Sequence, residues 1–445
     1  MLFNFKGRIY PDEKKLSTYK KPVEEMDAPK QIILPLLQHK GSICNPVVSV
    51  GEYVKIGQRV AESNLSDSAP IHSSVSGNVV AIEPRLHPNG DMVMSVVVEN
   101  DFRDSEKADV RTADISLGAD AKTLAEIVRD AGIVGLGGSA RPLSEKILAA
   151  EGNVELLIVN GAECEPYITA DNRVMVEYSE ELYDGANLIA KAIGAKEIVI
   201  AVESDKAHAV AELRRITARK HGVRIFVLHT KYPEGDERQL VRTVTGKEIP
   251  PGGASPDVGV FTVNVSTAAA VARAVREGKP LTTRIVTVSG SAVANPKNLL
   301  VRIGTPIEEL FDACGGFLEH PNKIIIGGPI MGNSQFSLDV PVIKSTNAVL
   351  AFCDDEGKNQ EKEKNCIRCG KCVEACPMNL MPLYIYREHK AGKLSECEKL
   401  NIRDCTECGC CSYICPARIP LVSTFCAIKK NLETEKGEEA KKDEN

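Results

Sequence analysis

Eight cysteines near the C-terminus have the spacing needed to hold metal clusters. Two runs share the pattern C-x2-C-x2-C-x3-C-P. The cysteines of the first run are Cys366, Cys369, Cys372 and Cys376, and those of the second are Cys405, Cys408, Cys411 and Cys415. This spacing is typical of two [4Fe-4S] clusters, because the two-residue gaps let the backbone wrap one cluster and place three sulfurs on three irons.

The fourth cysteine of each run lies beyond the reach of its own loop, and in two-cluster ferredoxins it ligates the other cluster. The predicted ligands are therefore Cys366, Cys369, Cys372 and Cys415 for one cluster, and Cys405, Cys408, Cys411 and Cys376 for the other. The alternatives are zinc, which usually binds two separated C-x2-C pairs, and disulfides, which are not expected without a secretion signal. Two neighbouring clusters predict a path for single electrons.

Composition favours a multidomain protein of a reducing compartment. The chain has 445 residues, enough for several domains, and its formal net charge of -6 gives no indication of nucleic-acid binding. The cysteines outside the two runs are scattered, as expected where thiols need not pair. The N-terminus has no apolar signal core, and no apolar run is long enough for a membrane span. Membrane association is therefore expected only through a partner.

The pattern predicts a multidomain α/β fold that begins with β-structure. Residues 1–30 are polar and punctuated by proline, which favours an extended arm. Residues 31–105 contain short β-rich runs broken by glycines. Their two halves resemble a biotinyl/lipoyl-like β-sandwich, but no Met-Lys-Met tip is present to carry a swinging cofactor. We expect a plain β-scaffold here.

Strands and helices alternate after a polar linker at 101–120. Across 118–280, apolar runs such as VELLIVNG and EIVIAVE alternate with helical periodicity. This alternation predicts a parallel sheet covered by helices, in an α/β flavin- or nucleotide-binding domain. Residues 281–345 return to strands around one helix, which predicts a β-grasp (soluble ligand-binding) domain.

The cysteine runs lie in a third kind of structure. A charged linker is expected at 353–365. The segment between the two runs is rich in helix-forming residues, so we expect a helical ferredoxin domain with two [4Fe-4S] clusters at 355–430. The charged segment 431–445 is expected to be a disordered tail.

Four segments of the central region predict a second chemical site. The candidate residues are Gly135, Gly137 and Gly138 in a glycine-rich loop, Asn160, Glu163 and Glu165 in NGAECEPYITADNR, Tyr232, Asp236 and Glu237 in KYPEGDERQL, and Asn264 and Thr267 in NVSTAAA. A glycine-rich loop before a helix lets backbone N–H groups approach a phosphate. Open α/β sheets bind ligands at the carboxyl ends of their strands, where two of the other segments lie. The sequence therefore predicts a nucleotide-type cofactor.

Nearly the whole chain resembles RnfC, the C subunit of the Rnf complex, which is a membrane-bound, ion-translocating ferredoxin oxidoreductase. The resemblance is carried by NGAECEPYITADNR, TKYPEGDERQL, NLLVRIGTP, GGPIMG, CIRCGKC and ECGCCSYICPARIPLV, among other segments. The α/β and β-grasp parts also resemble the flavin-carrying subunit of respiratory complex I, whose NGDEGEP loop is similar to NGAECEP. That resemblance implies FMN near Gly137, Gly138, Lys146, Asn160, Glu163 and Asn264, and NADH near Tyr232, Asp236 and Glu237.

The resemblance implies a function as well as cofactors. The chain would be a peripheral subunit of an ion-translocating ferredoxin:NAD-type oxidoreductase, a translocase on the cytoplasmic face of the cell membrane. It would pass electrons between ferredoxin-side carriers and NAD(H) through two [4Fe-4S] clusters and FMN. Its implied partners are the integral membrane and iron–sulfur subunits of the complex, with ferredoxin acting indirectly.

The chain departs from the family pattern near the nucleotide pocket. The family loop GGAGFPT reads GGSARPL here, so that Ala140 and Arg141 stand in place of glycine and phenylalanine. Ser266 stands in place of a glycine. One alternative is therefore an electron-transfer and docking subunit with a degenerate flavin and NADH pocket, coupled to an acceptor other than NAD. Another is a soluble cobalamin-type reductase.

Overall fold

A computed structural model describes residues 7–107, 120–353 and 362–443, with side chains described as far as residue 434. The chain divides into two compact units. The smaller comprises Met1–Asp12, Thr230–Ala254 and Asn359–Asn445, and the larger comprises Glu13–His229 and Ser255–Lys358. The linkers are predicted at 101–120 and 353–365. Most of each, namely residues 108–119 and 354–361, lies outside the described residues.

The larger unit begins with two antiparallel sheets. After β1 (Val23–Glu25), the strands are β2 (Gln31–Pro35), β3 (Asn45–Pro46), β4 (Tyr53–Val54), β5 (Arg59–Glu62), β6 (Ile71–His72), β7 (Gly77–Leu86) and β8 (Met92–Asn100). One sheet has the order β2-β8-β7-β4 and the other the order β3-β5-β6. Val60, Val79 and Val96 belong to their shared core, and each is fully buried. This arrangement agrees with the predicted β-scaffold.

A parallel sheet covered by helices follows, as the alternating pattern predicts. The helices are α1 (Ala121–Asp130), α2 (Leu143–Ala150), α3 (Ala170–Glu177), α4 (Ser179–Ile193), α5 (Ala207–Thr217), α6 (Glu237–Thr245), which belongs to the smaller unit, and α7 (Val265–Glu277). The strands are β9 (Leu156–Gly161), β10 (Glu197–Glu203), β11 (Val223–Leu228) and β12 (Val260–Asn264), in the order β11-β10-β9-β12. All three pairings are parallel, so the carboxyl ends of β9 and β12 are neighbours.

A mixed six-stranded sheet completes the larger unit. Its elements are β13 (Thr283–Ser289), β14 (Lys297–Arg302), α8 (Ile307–Ala313), β15 (Lys323–Ile326), β16 (Asn333–Gln335) and β17 (Ala348–Phe352). The order is β1-β14-β13-β17-β15-β16. The predicted boundary at residue 345 is too early, because β17 is buried at every position and lies between β13 and β15. The arm also contributes to this sheet, since β1 pairs with β14.

The smaller unit is helical, as predicted for the region of the cysteine runs. Its helices, besides α6, are α9 (Lys371–Glu374), α10 (Pro382–Lys390), α11 (Leu394–Lys399), α12 (Cys410–Tyr413) and α13 (Leu421–Asp443). Ile385, Phe425 and Ile428 are among the residues of its core. The tail predicted to be disordered is instead helical up to Asp443, because α13 continues through a segment without proline that is rich in Glu and Lys, which are good helix formers.

Candidate cofactor sites

Two asparagines mark the carboxyl ends of neighbouring strands in the parallel sheet. Asn160 of β9 and Asn264 of β12 lie opposite each other in the register. The Asn264 side chain caps α7 by accepting hydrogen bonds from the N–H groups of Ser266 at 2.9 Å and Thr267 at 3.3 Å. The Asn160 side-chain oxygen accepts from the Ala162 N–H at 3.1 Å and shapes the loop after β9. The structure therefore brings these predicted residues together.

The glycine-rich loop lies at the same edge of the sheet. The Gly135 N–H donates to the Arg141 carbonyl at 2.8 Å, which closes the loop on itself. The Leu136 N–H donates to the Thr267 hydroxyl oxygen at 2.9 Å, which ties the loop to the first turn of α7. The loop is thus held beside a helix N-terminus, the arrangement that binds phosphate groups in many proteins.

Two glycines of this loop suit the close approach of a cofactor. A Cβ at Gly137 would lie 2.9 Å from the Asn264 amide nitrogen, so a side chain would not fit there. Gly138 has a φ of +97°, and a Cβ there would meet no heavy atom within 4 Å. Lys146, predicted near the same cofactor, donates to the Thr262 hydroxyl oxygen on β12 at 2.8 Å. The residues present therefore fit a flavin nucleotide at this edge.

The Glu163 carboxylate belongs to a polar network at the start of α3. It accepts hydrogen bonds from the N–H groups of Asp171 at 2.6 Å and Asn172 at 3.2 Å. Asp171 in turn accepts from the Asn264 side chain at 2.6 Å and from the Ser266 hydroxyl at 2.5 Å. Burial raises the pKa of Glu163 to about 8 and also raises the pKa of Asp171. The network links the ends of both strands.

Glu165 has different partners from Glu163, although both were predicted in one pocket. Its carboxylate accepts hydrogen bonds from the N–H groups of Ile330 at 3.1 Å and Met331 at 2.9 Å, in the GGPIMG segment after β15. A Cβ at Gly328 would lie 2.4 Å from the same carboxylate. Burial raises the pKa of Glu165 to about 7. This residue therefore joins the loop after β9 to the six-stranded sheet.

Sequence reasoning missed two charged residues of the site. Asp171 lies inside NGAECEPYITADNR, so its position in that segment was a usable signal. Arg284, on β13, donates to the Leu136 carbonyl at 3.0 Å and had no sequence signal. Burial lowers the pKa of Arg284 to about 10, and Asp171 opposes this effect. A cavity of about 560 Å³ borders Leu136 and Arg284 but not Gly138, so it lies beside the predicted pocket.

The predicted nucleotide loop KYPEGDERQL belongs to the smaller unit. The Tyr232 hydroxyl is buried and donates to the Cys408 carbonyl at 2.7 Å. Asp236 caps α6 by accepting from the Arg238 N–H at 3.1 Å, and burial raises its pKa. Glu237 is the first residue of α6. The structure thus places all three predicted residues in the unit that holds the cysteine runs.

The cysteines surround two cavities, and each cavity combines the two runs. The first, of about 270 Å³, is lined by Cys366, Cys369, Cys372 and Cys415. The second, of about 20 Å³, is lined by Cys376, Cys405, Cys408, Cys410 and Cys411. The grouping matches the predicted exchange of the fourth cysteine. The second cavity also contains a fifth thiol, that of Cys410.

The thiols do not converge on single points. Within the described part of the chain, no group of three or more His, Cys, Asp or Glu side chains is placed to hold one metal ion. The eight cysteines therefore stay predicted ligands.

Family comparisons match four consecutive parts of the chain. The RnfC barrel sandwich hybrid domain matches residues 3–103, and the Nuo51 FMN-binding domain matches residues 128–273. The SLBB domain matches residues 285–334, and the 4Fe-4S dicluster domain matches residues 365–419. These matches confirm FMN and [4Fe-4S] clusters as the predicted cofactors.

The relatives cover nearly the whole chain. The C subunit of the Na(+)-translocating ferredoxin:NAD(+) oxidoreductase complex of Acetobacterium woodii is 41% identical over 96% of this chain and 97% of its own length. The chain belongs to the RnfC family. The C subunit of the proton-translocating ferredoxin:NAD(+) oxidoreductase complex of Clostridium ljungdahlii is 40% identical over 86% of this RnfC protein and 83% of its own length. The C subunit of the ion-translocating oxidoreductase complex of Klebsiella pneumoniae is 38% identical over 98% of this chain, which spans 58% of that protein.

Membership of the RnfC family confirms the predicted resemblance. It also disfavours the cobalamin-type reductase, because the relatives that cover most of the chain are C subunits of ion-translocating oxidoreductase complexes. In residues 7–107, 120–353 and 362–443, no helix is both long and apolar enough to cross a membrane.

Proposed function

We propose that this chain is the peripheral electron-transfer subunit of an ion-translocating ferredoxin:NAD oxidoreductase. It carries electrons between NAD(H) and the iron–sulfur side of the complex. FMN supplies the chemistry that joins the two ends, because a flavin exchanges a hydride with a nicotinamide and single electrons with clusters. The glycine loop, Asn160, Asn264 and the Glu163 network hold this flavin, and Tyr232, Asp236 and Glu237 border the NADH site.

One observation carries this proposal: the predicted nucleotide loop is packed on a cluster motif. The Tyr232 hydroxyl donates to the carbonyl of Cys408, a predicted ligand, at 2.7 Å. The Gln239 amide, from the same loop, donates to the carbonyl of Pro377, which follows the predicted ligand Cys376, at 3.2 Å. Both cysteines line the second cavity. The nucleotide loop and the second cluster are therefore parts of one packed structure, as a redox link requires.

The exposure of the cysteines gives the electron path an order. Cys376, Cys408 and Cys411 at the second cavity are buried, whereas Cys366 and Cys369 at the first are exposed. Electron transfer to another protein needs a cluster near the surface, and transfer within the chain does not. We assign electron transfer within the chain to the second cluster and electron transfer to the iron–sulfur partner subunit to the first. Ferredoxin then acts through that partner, and integral membrane subunits hold the chain at the cytoplasmic face.

A second candidate is an acceptor other than NAD, and the glycine-rich loop favours it. Ala140 adopts a φ of +53°, a left-handed conformation that L-residues avoid. The family has glycine at this position and phenylalanine where Arg141 stands. Because residue 141 is an exposed arginine rather than a phenylalanine, no aromatic ring is available there to stack on a dinucleotide. In this candidate the clusters and FMN are kept, but NADH binds weakly.

Cofactor analysis and a reduction experiment on the purified chain separate the two candidates. Native protein is expected to carry about eight irons and one FMN. Its flavin absorbance is then followed by stopped flow while NADH is titrated, with the double variant Ala140→Gly/Arg141→Phe as comparison. Fast reduction of the native protein at micromolar NADH supports the NAD-linked function. Slow reduction that the double variant accelerates supports the other acceptor, and protein with full clusters but no flavin contradicts both.

A further inference from the structure

The N-terminal arm is fixed into the larger unit from Glu13 onward. The Glu13 carbonyl accepts from the Tyr167 N–H at 2.8 Å, in the loop between β9 and α3. The Thr18 side chain is fully buried and accepts from the Thr169 hydroxyl at 2.7 Å, and its carbonyl accepts from the Asn298 amide at 3.1 Å. These contacts hold the arm on both sides of one residue, Lys15, so its position does not depend on its own side chain.

Lys15 is buried against the loop that carries the predicted flavin residues. It is 5% exposed, and its ammonium donates to the backbone carbonyl of Glu163. Among the described residues, Lys15 forms no ion pair. An ammonium has three N–H donors, and this one hydrogen bond uses a single donor. A buried ammonium that forms no ion pair and leaves donors unused is costly.

Lys206 provides a contrast within the same region. It is fully buried, and its ammonium pairs with the Glu203 carboxylate at 2.8 Å and with Asp205 at 3.0 Å. Its charge is therefore satisfied inside the protein. Burial lowers the pKa of Lys15, and the neighbouring Lys206 lowers it further, while Glu163 and other carboxylates oppose the shift. Of these two lysines, Lys206 forms ion pairs with carboxylates, whereas the Glu163 carboxylate acts on Lys15 without forming an ion pair with it.

We propose that Lys15, from the N-terminal arm, supplies the positive charge that binds the anionic part of the flavin cofactor. Its ammonium holds the Glu163 carbonyl with one donor and offers the others to an acceptor oxygen of the cofactor. This inference rests on the proposed function, since it requires FMN at the strand ends. Both the phosphate of FMN and the reduced flavin ring carry suitable oxygens, and a comparison of two flavins distinguishes them.

The test compares three variants of the full chain with its clusters loaded. Lys15→Gln keeps a hydrogen-bond donor for the Glu163 carbonyl but removes the charge. Lys15→Arg keeps the charge, and Lys20→Met removes the charge of an exposed lysine on the same arm as a matched control. FMN affinity is measured by quenching of flavin fluorescence, and the flavin midpoint potential by spectroelectrochemistry.

Loss of a charge-assisted hydrogen bond predicts FMN binding that is about tenfold or more weaker in Lys15→Gln. Lys15→Arg is expected to restore most of the affinity, and Lys20→Met to match the native protein. If the phosphate is the partner, the variant loses affinity for FMN but not for riboflavin. If the reduced ring is the partner, both flavins bind less tightly and the midpoint potential falls.

Native FMN affinity and native potential in Lys15→Gln would overturn the inference. Equal weakening in Lys15→Arg and Lys15→Gln would overturn it too, because it would show that shape rather than charge matters. Failure of the proposed function is distinguishable, since it would appear as native protein that binds no FMN at all. Iron content and thermal unfolding of each variant verify that the chain is folded. If Lys15→Gln does not fold, Lys15→Met removes the charge in its place, with the same expected loss of FMN affinity and the same outcome that would overturn the inference.

Discussion

The cluster motifs and the flavin site are organised in opposite ways. Each cluster motif draws three of its four predicted ligands from within seven consecutive residues of one run. The proposed flavin site draws on the arm, the glycine loop, two strand ends and β13, so that its residues Lys15 and Arg284 are 269 positions apart in sequence (284 − 15). A local motif places its donors by backbone geometry alone, whereas the flavin site exists only after the sheets have assembled.

The departures from the family pattern that the resemblance implies lie at one of these sites and not at the other. The cysteine spacing of the chain is the full two-cluster pattern. At the flavin site, Ala140, Arg141 and Ser266 depart from the family pattern. The Ser266 hydroxyl, which a glycine would lack, donates a hydrogen bond to the Asp171 carboxylate at 2.5 Å. A site assembled from distant segments can replace one contact by another, but a cluster cannot replace a thiolate so easily.

The largest expected effect comes from Cys376→Ser, because it breaks the exchange of ligands between the two runs. Iron content should fall from about eight to about four per chain, and the loss should affect the cluster held by Cys405, Cys408 and Cys411. Iron analysis and EPR spectroscopy of the reduced protein measure this. Loss of the other cluster alone would contradict the exchange.

Cys410→Ser is the matched control for the cluster prediction. Cys410 lines the same second cavity as Cys411 but lies outside the C-x2-C-x2-C spacing. Its replacement should leave the iron content unchanged, whereas Cys411→Ser should lose a cluster. If Cys410→Ser lost a cluster and Cys411→Ser kept it, Cys410 rather than Cys411 would be the ligand.

An intermediate effect is expected from Glu163→Gln, which tests the assembled site through its pH dependence. The pKa of Glu163 is raised from 4.5 to about 8 by burial. The folded protein therefore holds a proton that the unfolded chain releases, so this group stabilises the fold below about pH 4.5 and its contribution is lost as the pH rises towards about 8. The slope is at most about 1.4 kcal/mol per pH unit.

Glutamine mimics the protonated carboxyl group and should flatten this part of the stability curve. The free energy of unfolding of native protein and of Glu163→Gln is measured by urea unfolding at several pH values between the two pKa values of Glu163, 4.5 and about 8. The two slopes of this free energy against pH are then compared. Glu180→Gln, at an exposed position in the first turn of α4, is the control. The same slope in all three proteins would show that Glu163 does not hold the proton.

The smallest effect is expected from Ala140→Gly. Ala140 is buried with a φ of +53°, where glycine avoids a strain of roughly 1–2 kcal/mol. Glycine also adds freedom to the unfolded chain, so the net gain in the free energy of unfolding should be about 1 kcal/mol or less. Ala150→Gly, at the buried end of α2, should instead lower stability by roughly 0.5–1 kcal/mol. Equal losses in both variants would contradict the strained loop.

Most elements could be predicted from the sequence, but several boundaries could not. Apolar runs identified β9, β10 and β12 together with their helices, because both faces of a parallel sheet are buried. The sequence did not reveal that β17 completes the sheet of β13, since sheet membership depends on a distant partner. Helix formation after residue 431 was also missed, because charged helix formers resemble a disordered tail in composition.

By itself, the sequence determined the family and its iron–sulfur and flavin cofactors, and it predicted that the second site lies at the strand ends. Those features depend on short spacings and on local periodicity, which are written along the chain. Only the tertiary structure decided that Glu163 and Glu165 have separate partners, that Arg284 joins the glycine loop, and that an arm lysine lies buried at the Glu163 carbonyl. These contacts connect segments that meet only when sheets pack, and no local pattern encodes which distant side chain will fill a given buried position.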